Sequence, residues 1–501
     1  MFYLRTVKTA SQSTAVQVIR YQDRKRIIVK HVGSGHNPEE IFALKEIAHK
    51  WIDRATKQRH LFPCGEKPRS TLVPLDKLHN LGFRYSFAYE TIGGLFHLLQ
   101  YSTIGNQLLL DLVLIRILQP ASKAESLELL FDFFGIKHQR ADFYRSIPTI
   151  ISLKEIVEKK VIAFAQKYFC FDFSIVFYDV TTLYFESFKE DEEAFRIPGF
   201  SKDNKSSQPQ IVIGLIVTKE GFPVAYEIFA GNTFEGKTFI PTICKFRDDH
   251  AIESLTVVAD AAMISLPNIQ SLIDNKLSYI VGARTASLKL DQIKQVHQAL
   301  NQTDGVSTRI ATDRGLLVCD FSLKRYQKDK REMEKQITKA EKLLKKKEGV
   351  KRTKFLKNKD KKKPEQILNT ALVEKTKLLL GIKGYYTNLA QEEDKTIINH
   401  YHHLWQVEQA FRIAKSDLAM RPIYHFKKQT IEAHVLICFM ALTVCKYMEL
   451  VTGKSTKAIV KLLKKVTNAR LLNTLTNEEI TIQSEISPET KHLLKKLDLS
   501  H

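Results

Sequence analysis

Two strongly apolar runs, residues 174–179 and 255–260, each end in an aspartate, and the chain around them alternates strand-like and helix-like patterns. That alternation constrains the fold more than any other feature. A stretch such as Leu255-Thr-Val-Val-Ala-Asp260 suits a strand covered on both faces. Residues 211–217 and 222–230 read as two strands joined by a short turn at Lys219-Glu-Gly. Helices are expected at 236–247 and 267–277, and a further strand at 278–281. The order strand, hairpin pair, helix, strand, helix, strand predicts an α/β layered domain. Asp179 and Asp260 share one edge of it if their strands are parallel neighbours.

At 501 residues the chain has room for about three domains of roughly 150 residues each. Residues 1–35 alternate polar and apolar as short strands do, whereas helical spacing dominates from 38 to 165. An apolar run at 108–118 is broken by Pro120; Ser122 can cap a helix over 124–134 that stops at Gly135. The next short helix, 139–147, carries Arg140 and Arg145, a trio that helix-turn-helix modules share with any small helical domain. Residues 285–395 interrupt the α/β pattern with strand-like pieces at 315–321 and 385–389. One helix is then expected over 399–418, an apolar one over 431–450, and short lysine-bearing helices to the end.

Six cysteines without a C-x-x-C pair suit a reduced compartment, with Cys438 and Cys445 buried in a core helix. The apolar window at 433–444 is too short to cross a bilayer, and the first residues do not open a signal peptide. A soluble intracellular protein with no membrane partner is expected.

Charge narrows the partner. The chain carries 77 basic and 55 acidic side chains, a net +22. Residues 321–365 hold 19 Lys and Arg against 7 Asp and Glu, so this stretch supplies +12 of that excess. Its first half places Met333, Ile337, Leu343 and Leu344 at helical spacing; its second half, 345–363, has little to bury and is expected to be a mobile arm. Clustered lysines, Lys345, Lys346 and Lys347 among them, neutralise phosphates whatever the base sequence, which points to the backbone of a nucleic acid. A merely solvated charged helix is the plain alternative.

Two chemistries compete. Gly231-Asn-Thr-Phe-Glu-Gly-Lys-Thr238 fits the phosphate-loop pattern G-x-x-x-x-G-K-[ST]. Against a DNA-stimulated ATPase, Glu235 would set an anion among the phosphate-binding amides, Phe234 would crowd the turn, and the preceding strand is the second arm of a hairpin. A capping box from Asn232 and Glu235 explains the same residues. The second chemistry is phosphoryl transfer on two divalent cations, which needs three acids from different elements. Asp179 and Asp260 supply two. On the helix Tyr401-His-His-Leu-Trp-Gln-Val-Glu408-Gln-Ala-Phe-Arg412-Ile-Ala-Lys415, the spacing puts Tyr401, Glu408, Arg412 and Lys415 on one face, a carboxylate flanked by phosphate-binding cations. His400, His402 and His403 lack zinc-ligand spacing, and Trp405 is expected in the core.

These residues resemble the DDE transposases of bacterial insertion sequences, in the group with a Tyr-x2-Arg-x3-Glu-x6-Lys signature. Tyr401, Glu408 and Lys415 keep that spacing, while Leu404 stands at the Arg position. Tyr-Asp-Val-Thr-Thr at 178–182 and Val-Val-Ala-Asp at 257–260 resemble the strands of the first two acids. Gly231-Asn-Thr with Glu235 and Thr238, and Gly199-Phe-Ser-Lys-Asp203, resemble stretches recurrent in such enzymes. The likeness covers roughly residues 170–450. It implies a ribonuclease-H-like core split by a large insertion, with a mainly helical N-terminal domain at 1–165, core segments at 166–284 and 396–450, the insertion at 285–395 and a helical end at 451–501. It further implies cleavage at transposon ends and joining of the 3′ hydroxyl to target DNA. Asp179, Asp260 and Glu408 would bind two magnesium or manganese ions, Tyr401, Arg412 and Lys415 would contact DNA, and the chain would act as a homodimer on DNA in the cytoplasm, nucleoid-associated. A DNA-binding protein that keeps the fold without cutting is the alternative that Leu404 raises.

Overall fold

The computed structural model describes residues 2–10, 12–23, 25–56, 75–186, 195–200, 207–263, 265–346, 353–360 and 363–499. Contacts divide the chain into two units: residues 1–92, 128–137 and 459–501 form one, and residues 93–127 and 138–458 the other.

In the first unit, strands Phe2–Lys8, Thr14–Gln22 and Lys25–Gly35 form an antiparallel sheet, as the alternation at 1–35 predicts. Helix Pro38–Thr56 closes it, burying Leu44 and Ala48 against Val16, Val18 and Val32. A second sheet joins Leu78–Arg84 to Asn468–Asn473 and Glu478–Gln483. Neither the first of these strands nor the last two matches the expected helices. Strand Leu78–Arg84 finds its partner almost four hundred residues away, and pairing at that range leaves no local periodicity to read.

The second unit holds the α/β pattern. Three helices come first: α1 (Gln107–Leu118), α2 (Arg140–Ser152) and α3 (Lys154–Phe169). Strands β1 (Ile175–Tyr184), β2 (Pro209–Val217) and β3 (Pro223–Ala230) follow, then α4 (Glu235–Asp249), β4 (Thr256–Ala259) and β5 (Ser278–Ala283). Next come β6 (Ser307–Thr312), β7 (Gly315–Phe321), the lysine-rich α5 (Leu323–Lys346) and β8 (Ile382–Thr387). The unit continues with α6 (Asp394–His402), α7 (Trp405–Arg412), a π-helical turn at Ile413–Asp417, and α8 (Lys428–Thr452).

One mixed sheet organises these elements, in the order β6-β7-β8-β5-β4-β1-β2, with β3 on the far edge of β2. β1, β4 and β5 run parallel to one another; every other pairing is antiparallel. Strands from the 285–395 segment therefore extend the core sheet instead of standing apart from it. Strand β2 is buried along its whole length, so a continuous apolar run replaces alternation there. On one face α4 packs against β2 and β3, and the Tyr178 hydroxyl donates to Thr238 Oγ1 at 2.8 Å. On the other, α7 lies on β1 and β2, and α8 packs on β3, α1 and α2.

Three local expectations change. β1 does not stop at Asp179 but runs on to Tyr184, placing the acid in mid-strand. The helix expected at 399–418 is broken after His402, and its last turn widens to π geometry. α8 spans 25 residues, long and apolar enough to cross a membrane by composition, yet 83% of that window is buried inside the fold; it is the core helix that houses Cys438 and Cys445. Within the expected mobile arm, residues 347–352 and 361–362 lie outside the described residues. Strands Leu356–Asp360 and Lys363–Leu368 form a hairpin, and Phe355, fully buried, joins Met333, Ala340, Val373 and Leu380 in a small core beneath α5.

Candidate active site

Register brings the first two acids together. Tyr178 of β1 and Val281 of β5 both pair with Ala259 of β4, so one residue further along stand Asp179, Asp260 and Gly282 side by side. Neighbours in register point to the same face, and alternate residues of a strand do too. Phe177, two before Asp179, meets the His403 ring at 6.4 Å, which assigns Asp179 to the face covered by α6 and α7. Asp260 lies on that face as well: its Oδ1 accepts from the Tyr401 hydroxyl at 3.2 Å and from the Ala261 amide at 2.7 Å.

Gly282 makes this contact possible. A β-carbon there would stand 2.3 Å from the Tyr401 hydroxyl, so only glycine lets the phenol lie across β5. Helix α6 is held in turn by Asp394 at its start, which accepts from the Ser307 hydroxyl at 2.7 Å and pairs with Arg309, both on β6. The Tyr401 ring is 6% exposed and packs on Tyr385 of β8, centroids 4.7 Å apart. Burial raises its phenol well above the ordinary range, reinforced by the negative charges of Asp260, Glu408 and Asp179. The phenol is therefore a neutral donor, and the three acids surround it electrostatically.

Glu408 sits on the solvent side of α7, whose buried side chains Val407, Ala410 and Phe411 seat the helix on β1 and β2. Arg412 is exposed and Lys415 half-buried. Tyr401, by contrast, is buried, on α6 before the break at 403–404, and the Glu408 charge still reaches its phenol. Among the described residues no three His, Cys, Asp or Glu side chains stand close enough together to hold a metal ion. Asp179, Asp260 and Glu408 offer carboxylate oxygens only, donors that fit magnesium or manganese in kind.

Lys383 completes the surroundings and was not legible in the sequence. It lies in β8 with its Nζ 4.6 Å from the Tyr401 ring centroid. Burial and Arg325 lower its pKa, while Asp320, Asp260 and Glu408 oppose that shift. A lone lysine in a strand gives no local pattern; only the pairing of β8 with β5 brings it here.

The other candidate residues are distributed as follows. Leu404, at the signature's Arg position, is 6% exposed and belongs to the core. Trp405, expected in the core, is 53% exposed; His402 and His403 are exposed and His400 is half-buried. Lys345 and Lys346 close α5, and Lys347 lies outside the described residues, as do residues 201–203 of the Gly199 motif. The phosphate-loop reading fails on geometry. Thr238 is fully buried, its hydroxyl donating to the Glu235 carbonyl and accepting from Tyr178, so it faces the core and not a phosphate-bound ion. Gly231 is pressed against the backbone of Gln210 and Ile197 instead of lining a loop. The expected capping box is also absent: Phe234 occupies the N-cap, without a side-chain hydrogen bond.

The sequence model of the family described as Transposase DDE domain matches residues 171–444. No curated protein matches the chain by sequence. Among solved structures the chain is similar to one described as "Cryo-EM structure of piggyBac transposase synaptic complex with hairpin DNA (SNHP)". Identity is 12%, 85% of this chain and 79% of that chain are covered, and the TM-score of 0.38 is too low to carry an argument. The family match spans more than half of the chain, from the strand of Asp179 to the core helix α8, and the chain therefore belongs to the transposase DDE domain family, enzymes of DNA recombination.

Proposed function

We propose that this transposase cleaves transposon ends and joins the freed 3′ hydroxyl to target DNA, with Asp179, Asp260 and Glu408 as its metal-binding acids. The observation that carries this reading is the register pairing that sets Asp179 beside Asp260 on the face beneath α6 and α7. A ribonuclease-H-like core formed by β1–β5 is consistent with the order β3-β2-β1-β4-β5, an antiparallel trio followed by two parallel strands. On this view the segments 166–284 and 396–450 build the core, 285–395 is an insertion, 1–165 is an N-terminal domain for end binding and 451–501 a C-terminal region.

Two bound magnesium or manganese ions would supply an activated oxygen nucleophile and charge stabilisation at the leaving oxygen. The chain's own residues do the rest. Tyr401 donates to Asp260 and holds that carboxylate in one orientation. Lys383 offsets the negative charge of Asp260 and Glu408 from beneath the Tyr401 ring. Arg412 and Lys415 meet backbone phosphates near the scissile bond, taking over the contact that Leu404 does not make. The lysines of α5 grip the DNA backbone. Acting as a homodimer on double-stranded DNA, in the cytoplasm and nucleoid-associated, completes the proposal.

Asp179→Asn, Asp260→Asn and Glu408→Gln should each abolish magnesium-dependent strand cleavage while DNA binding stays measurable. Cleavage retained in one variant removes that residue from the site. Absence of cleavage in the unmodified chain, with DNA binding intact, favours the alternative of a fold that binds without cutting.

A further inference from the structure

A cavity of about 540 Å³ opens in the helical layer of the second unit, between the start of helix Lys123–Phe134, helix α2 and the segment 419–434. Its floor holds two basic side chains, Arg116 and Lys123, and burial together with the Arg116 charge lowers the Lys123 pKa well below the ordinary lysine range. Arg116 and Lys123 are 3% and 6% exposed, and among the described residues the Arg116 Nε has no hydrogen-bond partner. Lys123 Nζ lies 3.2 Å from His434 Nδ1, and His434 Nε2 lies 3.1 Å from the Met420 carbonyl. The carbonyl can only accept, so Nε2 carries the ring proton and Nδ1 accepts from the lysine. Burial, with Lys123 and Arg116 alongside, keeps His434 and its neighbour His425 neutral.

Two further guanidiniums, Arg140 and Arg421, stand at the rim, and among the described lining residues Glu125 is the one carboxylate, itself exposed. Among the described residues the buried Arg116 Nε is left unsatisfied at a desolvation cost, and an anion from outside the chain would both satisfy it and favour the charged form of Lys123. The volume falls within the range of about 300–1,000 Å³ usual for organic ligands, more than a bare ion requires. The walls also present aromatic surface: Tyr144 and Tyr424 are 46% and 63% exposed, with Arg140 over the Tyr144 ring at 5.8 Å. Exposed tyrosines beside guanidiniums are what a nucleobase stacks on.

We propose that this cavity binds a 5′-phosphorylated nucleotide, its phosphate against Arg116, Lys123 and Arg140 and its base against Tyr144 or Tyr424. A terminal phosphate can reach recessed cations, whereas an internal phosphodiester is held back by the chain on either side. A free nucleotide and the phosphorylated end of a DNA strand share this chemistry. The proposal does not rest on the acids of the candidate active site, and the Asp179→Asn chain should bind as the unmodified one does.

Calorimetric titration of the full chain separates the cases, with inorganic phosphate, deoxyadenosine, dAMP, and one short single strand carrying either a 5′ phosphate or a 5′ hydroxyl. Binding of dAMP at least about tenfold tighter than of deoxyadenosine or inorganic phosphate is expected. Lys123→Met, and Arg140→Ala with Arg421→Ala, should each abolish that preference. A strand end as the occupant adds the same preference for the 5′-phosphorylated strand; equal binding of the two strands with dAMP still preferred assigns the site to free nucleotide. The proposal is overturned if dAMP binds no better than deoxyadenosine, or no better than inorganic phosphate. It is overturned too if the rim variant, whose side chains are not part of the core, leaves the preference intact, and this arm stands even if Lys123→Met fails to fold.

Discussion

Replacing Gly282 by alanine tests how the candidate site is held. The added methyl would stand 2.3 Å from the Tyr401 hydroxyl, 3.0 Å from its Cζ and 3.2 Å from the Ala261 amide nitrogen. The phenol cannot simply swing aside, because its ring is 6% exposed and lies between Tyr385, 4.7 Å away between centroids, and the Lys383 ammonium at 4.6 Å. Overpacking of this kind costs about 1–3 kcal/mol of stability. Displacing the hydroxyl also breaks its bond to Asp260, and a hydrogen bond to a charged group contributes about 1.5–3 kcal/mol. If the bond is kept through the transition state, cleavage should fall roughly ten- to hundredfold. Thermal unfolding and a magnesium-dependent strand-cleavage assay measure the two effects. Tyr401→Phe should lose cleavage without the packing penalty, and Gly282→Ala should cost almost nothing further in a Tyr401→Ala background. The reasoning is refuted if Gly282→Ala unfolds and cleaves like the unmodified chain, or if its cost is the same with and without the Tyr401 ring.

Lys328, Lys335, Lys339 and Lys342 are exposed and fall on one face of α5, opposite Met333, Ile337 and Ala340. Changing all four to glutamine should weaken binding to any duplex alike and flatten its salt dependence by up to about 0.9 in log–log slope per lysine lost; an effect confined to one sequence counts against phosphate contact. His425 is held neutral by burial, with Lys123 and Arg116 adding to the effect, and its pKa falls to about 3. The unfolded chain therefore binds the extra proton between that value and about 6.5, so stability contributed by the neutral ring is complete above the upper limit and is lost as pH falls toward the lower. Unfolding temperatures should drop between pH 7.5 and pH 5, less steeply in His425→Gln, and identical slopes would remove His425 from the account.

What could be read from the sequence follows the physics of each element. β2, β3 and β4 announce themselves because buried strands and a tight turn are local patterns. Asp179 and Asp260 were legible for the same reason, although β1 continues past its acid. The Met333 and Ile337 spacing correctly marked the buried face of α5, while Phe355 gave no hint that the following stretch returns to cover it. Trp405 was misread because an aromatic on an otherwise apolar helix looks like core; the break after His402 turns it outward. Gly282 and Lys383 owe their roles to strand neighbours more than a hundred residues apart, and no window along the chain contains both.

The attachment of β8 to β5 reaches beyond the site itself. Because residues 382–387 are stitched antiparallel onto the last parallel strand, excising 285–395 would not trim an ornament from a self-sufficient enzyme. It would strip the hydrogen-bonding edge of β5 bare and remove the floor on which Tyr401 rests, leaving a sticky, hollowed remnant prone to pair with its own copies.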